Sequence, residues 1–313
     1  MNSSISSFKT EAKVIATILL MLLVCELVLR KFETALSFDL EHIRAMPQLA
    51  ANLAKSSGTR ILFLGNSFTR TAVIPNVFLM EMRSRGFTNL AVQRAHPDGT
   101  RINEWFYTFK TYFLEPHLLP DLLVIVTGRA HLQDQLMDPS TMGAYYSERN
   151  NVANYLRTEA PTLDAKVEFL LGRYSVAYAN RRRIEPRIFS RIIPNYQVCI
   201  QQINQERNRS TRRGKTVTYT RLEQFLNLAE AHSIPVIIVS VPMFEPYAID
   251  PKITELVASH KMIFIDMQTI DGVDSSRFPD EYHIDEIGAE KCTRVLAEKF
   301  AKLFESDLRF RKK

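Results

Sequence analysis

Three residues of this sequence are of the types that serine-dependent acyl chemistry requires. Ser67 follows Gly65 and Asn66 directly after an apolar run, and Asp280 precedes His283 by three residues. Side chains at that spacing share one side of a helical turn or tight bend. The carboxylate of Asp280 can then accept the Nδ1 proton of His283, which leaves Nε2 free to take a proton from a serine hydroxyl.

Each of the two stretches also has a structural explanation. Gly-Asn-Ser at 65–67 is typical of a turn followed by a helix N-cap, because Asn and Ser are favoured at both. Asp280 would serve equally well as a local cap beside a surface histidine. Spacings of three residues arise often by chance, so neither stretch alone predicts catalysis. Together, and in this order along the chain, they favour the catalytic interpretation.

The elements that must position these residues alternate between strands and helices. We predict strands at 60–64, 90–93, 122–127, 235–241 and 263–265. Helices are predicted at 75–85, 102–113, 219–232, 251–259 and 287–304. This order, with short connections, predicts an α/β fold with a three-layer, doubly wound parallel sheet. Functional groups collect outside the carboxyl ends of such strands, which is where Ser67 lies.

The two stretches resemble the first and last sequence blocks of the SGNH, or GDSL-like, hydrolase superfamily. Gly-Asn-Ser at 65–67 stands in place of the commoner Gly-Asp-Ser, and Asp-Glu-Tyr-His at 280–283 precedes the last predicted helix. Gly99, after the second predicted strand, matches the glycine whose backbone N–H helps to hold the oxyanion. The resemblance implies these roles: Ser67 as nucleophile, His283 as base and then acid, Asp280 as the group that orients His283, and the N–H groups of Ser67 and Gly99 as oxyanion donors.

One block departs from the family pattern. After the third strand the family has Gly-x-Asn-Asp, and the Asn side chain is an oxyanion donor; here Ala130 stands in its place, within Gly-Arg-Ala-His at 128–131. Loss of one such donor can lower the rate about a hundredfold or more. Three interpretations stay open: Arg129 or His131 substitutes, the two backbone N–H groups suffice, or the site has weakened. We also expect His96 and His131, as loop histidines, to be polar surface.

The N-terminal region predicts a membrane anchor. Residues 14–29 are almost continuously apolar and have basic residues on both sides. With the flanking side chains snorkelling, the segment approaches the ~20 residues that a span needs. A cleavable signal peptide is the main alternative, and it is disfavoured because no small-x-small site follows the apolar core; a buried core helix is the other. We predict an anchor at 1–31, a helical stalk at 32–57 and an SGNH-like domain at 58–308.

Residues 133–218 are predicted to form a helical, basic insertion in that domain. From 181 to 215 the chain has ten basic and two acidic residues, an excess of about +8 against +6 for the whole chain. Such a segment is either a solvated insertion or a platform for anionic headgroups or an anionic polymer. Nucleic acid is not expected as a partner, because aromatic residues do not interleave with the basic ones.

An N-terminal span, the two end blocks and a large insertion resemble one branch of the superfamily, the membrane-anchored proteins that acylate exported polymers. These include alginate-acetylation proteins and the D-alanine transfer protein of teichoic acids. The resemblance implies a serine-dependent O-acyltransferase or esterase for acyl, above all acetyl, groups of an exported glycan. It also implies a single-pass protein with a periplasmic or extracellular domain and a membrane acyl-donor protein as partner. A non-catalytic module that binds polymer or proteins is the alternative.

No metal or cofactor is expected. The three cysteines have no CxxC spacing, which disfavours a zinc site or a disulfide framework. Asp266 and Asp274 have no His or Cys cluster beside them. The single tryptophan, Trp105, is predicted to pack its helix against the sheet.

Overall fold

The computed structural model describes residues 3–135, 137–147, 152–196, 198–200, 202–203 and 217–307. The chain divides into two compact units. A helical unit comprises residues 1–41 and 137–215, and a sheet unit comprises residues 42–136 and 216–313.

The strands are β1 (Thr59–Leu64), β2 (Leu90–Ala95), β3 (Leu122–Thr127), β4 (Val236–Ser240) and β5 (Ile263–Asp266). In chain order the α-helices are α1 (Ser3–Lys31), α2 (Phe38–Lys55), α3 (Ser67–Ala72), α4 (Pro75–Ser84), α5 (Ile102–Phe109), α6 (Pro139–Thr141), α7 (Val152–Thr158), α8 (Leu163–Tyr174), α9 (Val176–Ala179), α10 (Arg181–Phe189), α11 (Thr220–Ala231), α12 (Pro251–Ser259) and α13 (Glu286–Ser306).

The five strands form one parallel sheet in the order β2-β1-β3-β4-β5. Alternate residues of the strands face opposite sides. In β1, Ile61 and Phe63 enter a core with side chains of α4 and α13, whereas Leu62 and Leu64 enter a second core with α5, α11 and α12. The predicted α/β fold with helices on both faces of a parallel sheet is therefore confirmed. In this strand order, ligands bind where the order reverses, beside the carboxyl ends of β1 and β3.

Two predicted helices are interrupted. The helix predicted at 102–113 is α-helical only to Phe109 and continues as a π-helical turn, Lys110–Leu114. Within the predicted helical insertion, residues 174–183 do not form one continuous helix, because Ser175 caps α9 by accepting a hydrogen bond from Tyr178 N and a break at Asn180 precedes α10. Trp105 on α5 is fully buried in the core that Leu62 and Leu64 enter, as predicted.

The helical unit uses four of the five described arginines of its basic stretch in internal contacts. Arg182 pairs with Asp138 at 2.7 Å and Arg183 with Asp39 at 3.0 Å. Arg181 donates to Ser140 Oγ at 2.8 Å and Arg187 to the carbonyl oxygen of Leu36. These four guanidinium groups hold the unit together, which favours a structural insertion over a binding platform for this part. Of the other six basic residues, Arg191 is described, and those at 207, 209, 212, 213 and 215 lie outside the described residues.

Within the described residues, one helix is long and apolar enough to cross a membrane, at Thr10–Lys31. Its apolar side chains between Val14 and Val28 are exposed. By length and composition the helix suits either a membrane span or a signal sequence.

Candidate active site

The turn after β1 presents Ser67 at the first position of α3. Asn66 is the N-cap: its Oδ1 accepts from Phe68 N at 3.0 Å, and its Nδ2 donates to the carbonyl oxygen of Thr100 at 2.9 Å. Both Asn66 and Ser67 are buried. An ionised Asp could accept from Phe68 but could not donate to Thr100, because a carboxylate has only acceptor oxygens. Asn66 therefore links the turn that contains Ser67 to the loop after β2 by a hydrogen bond.

Gly65 permits this turn by its lack of a side chain. A Cβ at this position would lie 2.7 Å from the carbonyl oxygen of Val126 on β3 and would collide with the Thr69 hydroxyl. The chain can therefore leave β1 in close contact with β3 only if residue 65 is glycine.

The loop after β2 brings Gly99 to the same place. Gly99 has φ +70°, a left-handed conformation that glycine adopts at little cost. Thr100 fixes the loop, because its hydroxyl donates to Pro97 O at 2.5 Å and accepts from the indole N–H of Trp105 at 2.9 Å. Among the described residues, no acceptor takes a hydrogen bond from the N–H of Ser67 or of Gly99. Both N–H groups remain available to a substrate oxygen.

Asp280 and His283 form the predicted pair. Asp280 Oδ2 lies 2.7 Å from His283 Nδ1, and Oδ1 accepts from the backbone N–H of His283 at 2.6 Å and of Tyr282 at 3.0 Å. The hydrogen bonds from His283, first backbone and then ring, lower the pKa of Asp280 to about 2. The ionised carboxylate accepts the Nδ1 proton, so Nε2 carries the lone pair of the neutral ring. The chain turns tightly here because Glu281 adopts the left-handed backbone conformation, with φ +57°.

A cavity of about 280 Å³ joins these groups. Its walls are formed by Asn66, Ser67, Asp98, Gly99, Thr100, Arg101, His131, Tyr282 and His283. The structure thus brings together Ser67, Gly99 and His283, and Asp280 reaches the site through His283. His283 Nε2 is buried and has no hydrogen-bond partner among the described residues. The expected hydrogen bond from Ser67 to His283 is therefore not formed, and such bonds often tighten only when substrate binds.

The structure separates the two residues considered as replacements for the missing Asn. Arg129 is exposed and pairs with Glu245 at 2.9 Å, and it does not line the cavity. His131 lines the cavity and is only 7% exposed. Its Nδ1 accepts a hydrogen bond from Gly128 N at 3.0 Å. The expectation that His131 is polar surface is wrong, because tertiary packing encloses it.

His96 is also buried, which contradicts the same expectation. Its ring stacks on that of His42 with centroids 3.7 Å apart, and its backbone N–H donates to His42 Nε2 at 3.0 Å. Burial lowers the pKa of His42 to about 4 and that of His96 to about 3. Neither ring lines the cavity, so the pair has a packing role in the sheet unit.

Phe68 is a site residue that sequence reasoning missed. Its ring centroid lies 5.1 Å from that of His131, 6.0 Å from that of His283 and 4.8 Å from that of Tyr282. The residue after Ser67 therefore packs against both cavity histidines. Its position directly after Ser67 was the available signal. In the described part of the chain, no group of three or more His, Cys, Asp or Glu side chains is arranged to hold a metal ion.

No protein-family model matches this sequence, and no curated protein sequence matches it either. Among solved structures, the chain is similar to a lipase/acylhydrolase from Enterococcus faecalis, at 14% identity and a TM-score of 0.38 over 78% of this chain and 96% of that one. It is also similar to an acetylxylan esterase from Geobacillus stearothermophilus, at 11% identity and a TM-score of 0.36 over 82% and 99% of the two chains. A third similar structure is an α/β hydrolase from the metagenome of Lake Arreo, Spain, at 9% identity and a TM-score of 0.39 over 83% and 100%. These similarities concern the fold, which the strand order establishes here independently.

Proposed function

We propose that this chain is a serine-dependent esterase or O-acyltransferase. The observation that supports the proposal most directly is the state of His283. Its Nδ1 is held by Asp280, and its Nε2, which has no hydrogen-bond partner among the described residues, lies on the wall of the cavity that Ser67 lines. A nitrogen so placed can accept the proton of a serine hydroxyl.

The geometry supports a two-step acyl transfer. Ser67 Oγ attacks the acyl carbonyl carbon while its proton passes to His283 Nε2, and the N–H groups of Ser67 and Gly99 receive the carbonyl oxygen as it becomes an oxyanion. The C–O bond of the ester then breaks, and the leaving alkoxide takes the proton from His283. A water or a sugar hydroxyl attacks the resulting acyl-serine in the same way and releases Ser67.

The size of the cavity favours a short acyl group. Its volume of about 280 Å³ lies just below the ~300–1,000 Å³ that is typical of small-molecule sites. An acetyl ester suits such a site better than a long fatty acyl ester. The acceptor that we propose, a hydroxyl of an exported glycan, follows from the resemblance of the sequence blocks, as does a membrane acyl-donor protein as partner.

Ser67→Ala tests the proposed chemistry. We expect it to abolish hydrolysis of p-nitrophenyl acetate and labelling by a fluorophosphonate probe, because the nucleophile is lost. Ser259→Ala is the matched control: this serine is exposed at the end of α12, where its hydroxyl donates to Leu256 O. Activity or labelling retained by a folded Ser67→Ala protein would overturn the assignment, and an unlabelled wild type would favour the non-catalytic alternative.

The reaction products distinguish acyl transfer from hydrolysis. Wild-type protein is incubated with p-nitrophenyl acetate and neutral oligosaccharides, and acetylated sugar is measured against free acetate by mass spectrometry. Acetylated sugar that depends on Ser67 indicates a transferase, and free acetate alone indicates an esterase.

We further propose that α1 is a retained anchor. The carboxylate of Glu26, near the C-terminal end of the apolar segment, accepts hydrogen bonds from Val176 N at 2.7 Å, Ser175 Oγ at 2.9 Å and Ala177 N at 3.0 Å. Arg30 donates to Tyr174 O at 3.2 Å. Glu26 thus caps α9 within the helical unit, a role that a removed leader could not fill.

The mass of the mature protein tests this. We expect membrane-purified protein to retain residues 1–31 and to resist extraction by alkaline carbonate. Glu26→Ala should leave the protein in the membrane but expose the chain near residue 175 to protease, whereas Glu41→Ala, an exposed glutamate of α2, should not. A mature chain that begins after residue 31 would contradict the proposal.

A further inference from the structure

We propose that His131 supplies the third oxyanion donor of this site, through the N–H of Nε2. The proposal rests on the acyl chemistry proposed at Ser67, and it assigns a residue to the function that Ala130 cannot perform. Four observations support it: the hydrogen bond at Nδ1, the packing of the ring, its electrostatic surroundings and the position of the rival residue.

The hydrogen bond at Nδ1 determines which nitrogen carries the proton. Gly128 N donates to His131 Nδ1 at 3.0 Å. A ring nitrogen that accepts a hydrogen bond bears no proton, so the neutral ring carries its proton on Nε2. His131 therefore presents a donor at Nε2, as the side-chain amide of an Asn would.

The side chains that pack against the His131 ring leave its Nε2 edge free to face the cavity. Phe68 and Trp105 lie against the imidazole, with centroids at 5.1 and 6.1 Å. The Nδ1 edge faces Gly128, where an added Cβ would lie 3.3 Å from His131 Cε1 and 3.4 Å from Nδ1. His131 lines the cavity together with Ser67 and Gly99, and the proposal requires its Nε2 edge to be the one that faces the reacting carbonyl.

The surroundings keep the ring neutral. Burial, and secondarily the charge of Arg101, lower the pKa of His131 to about 4. A neutral imidazole donates a hydrogen bond without competing with His283 for the proton of the serine. Neutral histidines of lowered pKa act in this way as electrophiles toward carbonyl oxygens in other enzymes.

Arg129, the alternative donor, points elsewhere. Its guanidinium lies 2.9 Å from Glu245, and its side chain is 59% exposed. Its backbone N–H lies 3.2 Å from Met243 Sδ. Arg129 is therefore held on the surface, and His131 is the residue of this loop that lines the cavity.

The test compares His131→Phe, His131→Gln, His96→Phe and Arg129→Ala in the full chain with p-nitrophenyl acetate. His131→Phe keeps a ring against Phe68 but has no donor, so we expect kcat to fall about 100-fold with KM changed by less than about threefold. His131→Gln restores an N–H donor, and its kcat should be at least about tenfold higher than that of His131→Phe. His96→Phe, a buried histidine outside the cavity, and Arg129→Ala should retain wild-type kcat.

Two further measurements distinguish a donor from a packing residue. Labelling by the fluorophosphonate probe should slow in His131→Phe as kcat does, because the phosphoryl oxygen occupies the same site. In ¹⁵N spectra of the wild type, His131 should show a protonated Nε2 whose proton shifts downfield when a boronic acid binds Ser67.

The outcomes also separate this inference from the proposed function. If folded His131→Phe keeps kcat within about threefold while Ser67→Ala is inactive, the acyl chemistry stands and the role of His131 is refuted. If His131→Gln is as slow as His131→Phe and Nε2 carries no proton, the inference is also wrong. Activity retained in Ser67→Ala would overturn both proposals.

Discussion

Two histidines on one cavity wall use Nδ1 in opposite ways. His283 Nδ1 lies 2.7 Å from the carboxylate of Asp280 and donates, whereas His131 Nδ1 accepts from Gly128 N at 3.0 Å. In both loops the partner is three residues earlier in the chain. A carboxylate at that position leaves a lone pair on Nε2, and a backbone N–H leaves a proton there. Under the proposed chemistry, the residue three positions upstream therefore decides whether the imidazole is a base or a donor.

The surroundings of the two rings reinforce the difference. His131 is 7% exposed and packs against Phe68 and Trp105, whereas the side chain of His283 is 29% exposed beside an Asp280 that is 54% exposed. The base role proposed for His283 requires its Nε2 to meet a substrate, and the cavity that His283 lines provides that access. The donor role proposed for His131 requires a neutral ring, which burial favours because it lowers the pKa of His131 to about 4.

Of the changes that test this comparison, removal of the proposed base, His283, should lower kcat most. We expect His283→Ala to lower kcat for p-nitrophenyl acetate about 10³- to 10⁴-fold, because the proton of Ser67 loses its acceptor. The loss should exceed that of His131→Phe by at least about tenfold. Equal losses in steady-state assays of the two variants would mean that the two rings do not have different roles.

A change of the partner of His283 should have the next largest effect. Asp280→Asn replaces an acceptor of the Nδ1 proton by an amide that can also donate, so the ring can adopt the wrong tautomer. We expect kcat to fall about 100-fold or more with little change in Tm. Asp274→Asn, at the cap of the short 3₁₀ helix Ser275–Arg277, is the control and should be neutral for kcat. Full activity of Asp280→Asn would show that Asp280 is only a loop cap.

A change beside the partner of His131 should have a smaller effect. In Gly128→Ala the new Cβ would lie 2.7 Å from Met243 Sδ and 3.3 Å from His131 Cε1. Met243 is flexible enough to move, so the protein should fold, but the imidazole is displaced from its position. We expect kcat to fall about tenfold, with the label on Ser67 still formed. Wild-type kcat in this variant would mean that the position of His131 does not matter for the reaction.

The smallest expected effect concerns the pH dependence of the free energy of unfolding. The pKa of His131 is about 4 in the folded protein and about 6.5 when unfolded, so the unfolded chain takes up the proton first as the pH falls. The free energy of unfolding should therefore decrease from pH 7 to 5, by about 2 kcal/mol from His131 alone. In His131→Phe that part of the decrease should vanish in urea unfolding curves at the two pH values. An unchanged pH slope in the variant would contradict the buried, neutral state of the ring.

Local patterns predicted much of the architecture. β3 was predicted with its observed bounds, because an apolar run at 122–126, followed by Thr127, is bounded by Pro120 and Gly128. The helix at 251–259 likewise begins at Pro251 and ends at Ser259 as predicted. The interrupted helices were missed because their ends depend on details that periodicity does not record, such as the hydroxyl of Ser175 and the break at Asn180.

The residues of the site show the same distinction between contacts of near neighbours in the chain and contacts of distant elements. The turn that joins Asp280 to His283 is a contact between residues three apart, so the sequence alone was enough to predict it. The burial of His131 and His96 was predicted wrongly, because the exposure of a loop side chain depends on which distant elements pack over it. The bond from Asn66 to Thr100 was also missed, since it joins the ends of two neighbouring strands.

By itself, then, the sequence determined the strand–helix order, the serine turn after β1 and the acid–histidine pair, all of which rest on interactions between near neighbours in the chain. Tertiary structure decided what those parts do together. The parallel order β2-β1-β3 places Ser67, Gly99 and His131 at one edge of the sheet, and the packing before α13 adds His283. The same packing encloses His131, and the cap of Glu26 on α9 joins segments far apart in the chain. Such contacts depend on strand order and burial, which no short spacing specifies.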